Sequence, residues 1–103
     1  MADLTQEDWA ERLSKDEKAV ILDVRTPEEV EVGYIPDSVN IDIYLGQKFL
    51  KEVEKLDKNK NYYVYCRTGN RSRQACNLMN SMGFKNAFNL LGGITEWEGE
   101  IIE

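Results

Sequence analysis

The chain has 103 residues, 42% hydrophobic and 31% charged, and is expected to fold as one domain over 1–103 with one core and no linker. Its net charge of −6 argues against nucleic-acid binding, and the absence of histidine removes a Cys-His dyad, histidine-containing zinc sites and an imidazole base. No apolar stretch nears the roughly 18 residues of a membrane span, and the acidic N-terminus lacks the regions of a signal peptide, so a cytoplasmic protein without membrane contact is expected.

The stretch LTQEDWAERL predicts a first helix, with Thr5 placed to cap it, Asp8 in its first turn, and Trp9 and Leu13 on one face. AVILDV at 19–24 is a short apolar run of the kind found in a strand buried on both faces. In RTPEEV, Thr26, Pro27 and Glu29 form a capping-box pattern that opens a short helix, and Gly33 ends it. SVNIDI at 38–43 reads as a second strand. GQKFLKEVEKL then reads as a helix whose Phe49, Leu50, Val53 and Leu56 share a face.

YYVY at 62–65 is a third strand that stops one residue before Cys66. Past the loop CRTGNR, the spacing of Ala75, Leu78, Met79 and Met82 predicts a helix from Arg71 or Ser72 to Gly83. NAFNLL is a fourth strand, and GGITEWEGEIIE gives a double-glycine turn and a short closing helix. Strands alternating with helices indicate an α/β domain with a parallel sheet and right-handed crossovers.

That order puts Cys66 at the carboxyl end of a strand and just before a helix, where open α/β sheets place their chemistry. Loop amides and the first-turn amides of the helix have no intrahelical partner there and can converge on an anion. Together with Arg67 and Arg71 they are expected to lower the thiol below its free pKa of about 8.5. Gly69 allows a positive φ, while Thr68, Asn70 and Ser72 can add hydrogen bonds without filling the pocket. The surrounding charge agrees, because no Asp or Glu occurs from Lys58 through Thr95 while Lys58, Lys60, Arg67, Arg71, Arg73 and Lys85 are basic. Such a segment can focus a small anion, or it is simply a solvated cluster of charge.

Three stretches in order also carry a resemblance that covers nearly the whole chain: ILDVRTPEEVEVGYIPDSVNI, VYCRTGNRS and LLGGITEWEGE. They resemble the first motif, the active-site loop and the closing glycine-tryptophan motif of the rhodanese (sulfurtransferase) family. The resemblance implies an α/β, rhodanese-like fold: a largely parallel sheet of about five strands flanked by helices on both faces. It makes Cys66 the nucleophile, cycling between thiolate and persulfide, with Arg67, Thr68, Gly69, Asn70 and Arg71 binding substrate around it. Asp23, Arg25, Glu29 and Ser72 are expected to brace the site, and Gly92, Gly93 and Trp97 match structural positions. A small anionic sulfur donor such as thiosulfate is implied, with cyanide, a small thiol or a protein dithiol as acceptor. A monomer without cofactor or metal is expected. The chain departs from the family pattern at Val30, Tyr34, Asp37 and Ser38, which bears on the choice of acceptor.

Other readings compete with this one. A Cys-dependent phosphatase or arsenate reductase needs arginine six residues after the cysteine, and position 72 is Ser. A noncatalytic rhodanese-like binding module is at odds with an intact cysteine between arginines, and a persulfide relay would use the same chemistry with a protein acceptor. Cys76 reads as a small core residue on the helix in preference to a resolving thiol. Arg73 reads as a solvated helix residue, and Trp9 and Trp97 as core or cover.

Overall fold

The computed structural model describes residues 2–103. Five strands, β1 (Ala2–Leu4), β2 (Ala19–Asp23), β3 (Ser38–Asn40), β4 (Asn61–Tyr65) and β5 (Asn86–Leu90), form one sheet in the order β1-β5-β4-β2-β3. All four neighbouring pairs are parallel. Four helices connect or follow them: α1 (Gln6–Lys15), α2 (Pro27–Val32), α3 (Gln47–Glu54) and α4 (Asn70–Ser81). No helix among the described residues is long and apolar enough to cross a membrane.

Local chemistry explains where the helices begin. The Thr5 hydroxyl accepts from the Asp8 amide at the start of α1. At α2 both halves of the capping box are made, since the Thr26 hydroxyl accepts from the Glu29 amide and the Glu29 carboxylate from the Thr26 amide. α4 begins at Asn70, directly after Gly69, whose φ of +105° suits glycine.

Alternation along the central strands builds two cores. Leu22, Tyr62, Val64 and Cys66 face one side with Phe49 and Val53 of α3 and Ala75, Cys76 and Met79 of α4. Ile21, Tyr63 and Tyr65 face the other with Leu4, Trp9 of α1, Ile35 and Leu90. Trp9 is completely buried, edge-on to Tyr63, Tyr65 and Trp97 at centroid distances of 5.8, 6.4 and 5.3 Å. Because the path from β4 runs outward to β5 while that from β2 runs outward to β3, the order reverses between β4 and β2. The crevice at a reversal of this kind, outside the carboxyl ends, is where α/β sheets take ligands.

The structure differs from the sequence expectations at the margins of the sheet. β1 precedes the first predicted helix, and pairing of Ala2–Leu4 with Phe88–Leu90 holds it. The second predicted strand stops at Asn40, whose side-chain Nδ2 donates to the carbonyls of Asp23 and Arg25. Asp42 then caps a single 3-10 turn, Ile43–Leu45. The closing helix is likewise one 3-10 turn, Ile94–Glu96, after which the chain bends at Gly99 and Ile102 pairs with Tyr34. Leu50 and Leu78, assigned to core faces by spacing, are 37% and 38% exposed, and fully buried Cys76 takes the place expected of Leu78.

Candidate active site

Cys66 follows the buried end of β4, and the period of two turns its side chain toward α4. The loop after it is shaped from behind by the double-glycine turn. Ile94 N donates to Cys66 O at 3.0 Å, and Thr95 N and Oγ1 donate to Arg67 O at 3.1 and 2.7 Å. Gly93, at φ +60°, lies so close that a Cβ there would stand 2.3 Å from Arg67 O and 2.7 Å from Cys66 O. With those carbonyls held outward, the amides that follow turn inward. Gly69 N donates to Sγ at 3.1 Å, Ser72 N at 3.3 Å, and the Ser72 hydroxyl stands 3.3 Å away.

These contacts bear on the charge of the sulfur. Burial is the largest influence on the Cys66 thiol and pushes its pKa up, but hydrogen bonds from the Ser72 hydroxyl and from the amides of Ser72, Gly69 and Thr68 outweigh it, and the net shift is downward. The arginines take a smaller part than the sequence leads one to expect. Arg71 forms a two-bond pair with Glu29 at 2.7 and 2.8 Å and lies over the Tyr44 ring at 5.2 Å. Its charge is held first by Glu29 and only marginally by Cys66. The acid-free segment is therefore not acid-free in space, since α2 brings Glu29 to Arg71 and β1 brings Asp3 to Arg73 at 3.4 Å. Among the described residues Arg67 is the one arginine of the segment with no carboxylate partner. It lines a groove of about 350 Å³ with Arg25, Glu29, Val32, Ile94 and Thr95.

The bracing residues make a second layer. Asp23, fully buried, accepts from Arg25 Nε at 3.0 Å and Nη2 at 2.7 Å, from the Arg25 amide at 3.0 Å and from the Tyr65 hydroxyl at 2.6 Å. Arg25 Nη2 also donates to Gly33 O at 2.8 Å, which ties the end of α2 to β2. Burial works against the Arg25 charge, but the bonds and charge of Asp23 more than offset it and the guanidinium pKa rises. Burial, then Asp23, pushes Tyr65 up to about 12, so its hydroxyl stays neutral and able to donate. Thr68 and Asn70 are exposed on the outer side of the loop. Cys76 is buried in α4, and burial pushes its thiol up to about 12, so it stays protonated at neutral pH.

Sequence reasoning passed over Tyr65, Thr95, Tyr44 and Asn89. Only Asn89 carried a signal, as a polar residue inside the apolar run NAFNLL; it is fully buried beneath the loop. A second groove, about 570 Å³, lies near the start of β2 beside Ala19, Ile35 and Trp97 and contains no nucleophile.

The glycine turn and the Glu29 pair each give a test. In Gly93→Ala the new methyl displaces the Cys66 and Arg67 carbonyls, so iodoacetamide should alkylate Cys66 at least about tenfold more slowly at neutral pH. In Gly46→Ala, where φ is +60° but nothing lies within 4 Å, stability should fall by about 1 kcal/mol with unchanged alkylation. Equal alkylation rates in the two variants would contradict the clamp. For Glu29, first the Arg71 bonds lower the carboxyl from 4.5 to about 2 against the effect of burial. A depressed carboxyl stabilises the fold fully above its unfolded value, and that contribution is lost as pH falls from about 4.5 through about 2. Urea unfolding across this window should show a shallower loss of stability in Glu29→Gln than in the wild type.

Known proteins resemble this chain in sequence and fold. The Rhodanese-like domain model matches residues 6–100. YtwF of Bacillus subtilis is 41% identical over 90 residues, covering 87% of this chain and 84% of that protein. A sulfurtransferase of Allochromatium vinosum is 34% identical over 95 residues, covering 92% and 86%. The crystal structure of a rhodanese-like domain protein from Staphylococcus aureus superposes with a TM-score of 0.82 at 30% identity, covering 97% of this chain and 94% of that one. The match runs through every strand from β2 to β5 and through the cysteine loop and its glycine turn, and the chain belongs to the rhodanese-like domain family.

Proposed function

We propose that this protein is a sulfurtransferase that moves sulfane sulfur from thiosulfate, or a similar small anionic donor, to a thiophilic acceptor through a persulfide on Cys66. Membership of the family and a sulfurtransferase relative that covers most of the chain support sulfur transfer in general. The observation that carries the finer reading is a buried sulfur surrounded by inward donors: Gly69 N at 3.1 Å, Ser72 N at 3.3 Å and the Ser72 hydroxyl at 3.3 Å.

In the first half-reaction the Cys66 thiolate attacks the outer sulfur of thiosulfate. A bond forms between Sγ and that sulfur, the bond to the sulfite sulfur breaks, and sulfite leaves with the electron pair. Arg67, at the rim of the groove, supplies the free positive charge that meets the incoming dianion. In the second half-reaction cyanide, a small thiol or a protein dithiol attacks the outer sulfur, and the Cys66 thiolate departs. Loop donors keep the sulfur ionised for the first half-reaction and stabilise the charge that returns to Sγ as the thiolate departs in the second, where one well-aimed donor is worth about 3 kcal/mol.

The loop also separates this chemistry from phosphate chemistry. A cysteine phosphatase places arginine six residues after the nucleophile, facing the oxyanion. Here that position is Ser72, bonded to the nucleophile itself, while Arg71 is paired with Glu29.

Thiosulfate treatment is expected to add the mass of one sulfur atom to the protein, on Cys66, and cyanide to remove it with release of thiocyanate. Cys66→Ser should lower thiosulfate:cyanide turnover by more than about a thousandfold, as loss of a nucleophile does elsewhere. Retention of most of the activity in that variant, or turnover of phenyl phosphate with none of thiosulfate, would overturn the reading.

A further inference from the structure

Beneath the thiol there are more acceptors than hydrogens. Ser72 Oγ stands 3.3 Å from Cys66 Sγ and also makes a hydrogen bond with Asn89 Oδ1, and all three residues are buried. A serine hydroxyl carries one hydrogen, so it serves one of these neighbours at a time. The orientation of the Asn89 amide follows from its other contacts. Its Nδ2 donates to Asp3 Oδ1 at 2.9 Å and to Gly69 O at 3.2 Å, and neither oxygen has a hydrogen to return. Turning the amide over would set its oxygen against a carboxylate and a carbonyl. Asn89 therefore presents an acceptor to Ser72, fixed from β5 and β1.

Two arrangements of the hydroxyl follow. When Cys66 is a thiol, its own S–H can point to Ser72 Oγ while the Ser72 hydrogen rests on Asn89. When the sulfur is anionic, the Ser72 hydrogen must turn onto Sγ, and Asn89 Oδ1 is left in the interior without its partner.

We propose that Asn89 is a positioning residue that competes with the Cys66 sulfur for the single Ser72 hydroxyl hydrogen, holding it while the sulfur is uncharged and yielding it when the sulfur carries charge. Its part in turnover rests on the sulfur-transfer reading. As Sγ bonds to the incoming sulfur it loses its negative charge, and the hydroxyl returns to Asn89. When an acceptor attacks the outer sulfur, the S–S electron pair stays on Sγ and the hydroxyl swings back. The hydrogen remains on Ser72 Oγ throughout, so no proton is gained or lost. Through Nδ2 the same side chain holds Gly69 O, which fixes the peptide that follows it while the hydroxyl moves.

The competition is read from the titration of Cys66 in the absence of donor and acceptor, by thiolate absorbance and by the pH dependence of alkylation. The charged groups around the loop are Arg67, Arg71 with Glu29, Arg25 with Asp23, and Asp3 with Arg73. All are retained in each variant, and Cys76, at about 12, titrates apart. Ser72→Ala should raise the Cys66 pKa, since a donor to the anion is gone. Asn89→Leu should lower it by about half to one pH unit, because the thiolate then takes the Ser72 hydrogen without leaving a buried acceptor bare. In the Ser72→Ala background the Asn89 change should no longer lower the pKa. Asn89→Ala, studied in the same two backgrounds, answers the question if leucine prevents folding. A rise in pKa on replacing Asn89 with Ser72 present, or the same shift with and without Ser72, would overturn the proposal. Neither outcome depends on sulfur transfer, and a protein that shows the coupling but forms no persulfide would refute the functional reading alone.

Discussion

The structure depends on a buried sulfur being solvated by backbone. Cys66 is only 1% exposed, and a thiol in such a place would ordinarily stay neutral and inert. The loop reverses that by arranging peptide groups in two directions. Carbonyls of Cys66 and Arg67 point back into hydrogen bonds with Ile94 and Thr95, and amides of the residues that follow point in at Sγ. Gly93 permits the first because nothing larger than hydrogen fits against Arg67 O, and Gly69 permits the second by turning at φ +105°. The closing glycine motif, some 27 residues from the cysteine, is thus part of the sulfur site, as the back wall that sets the direction of its dipoles.

Charged side chains act one layer out. Arg25 and Asp23 lock the end of β2 to α2 and, through Tyr65, to the strand that leads into Cys66. Arg71 joins α2 to the loop through Glu29 and rests on Tyr44. Both pairs fix geometry while cancelling most of their own field, and the loop keeps one free cation, Arg67, at its rim. The inner contacts are neutral donors, which suits the proposed reaction, in which the sulfur would alternate between an anion and a neutral bonded state. A guanidinium in direct contact would favour the anion and oppose its attack.

Much of this was legible in the sequence because it is local. The capping box at Thr26 and Glu29, the runs AVILDV and YYVY, the turn at Gly69 and the position of Cys66 at a strand end all depend on neighbouring residues. What was not legible depends on distant parts of the chain. β1 has three residues and no period of its own, and exists by pairing with β5. The partners of Arg71 and Arg73 lie 42 and about 70 residues away, so a stretch without acids looked more basic than it is in space. Leu78 fits the helical spacing, yet the face that α4 buries is turned by one short step toward Ala75, Cys76 and Met79. Asn89 was visible only as a polar residue in an apolar strand, and its contacts with Asp3, Gly69 and Ser72 come from two distant parts of the chain.

The most direct measurement of the central claim is the pH dependence of wild-type Cys66 reactivity toward a neutral alkylating reagent. Loop donors that outweigh burial predict a midpoint clearly below the free-cysteine value of about 8.5, with rapid modification at neutral pH. A midpoint at or above that value would mean that burial prevails, and the loop would then be a fold feature that activates nothing.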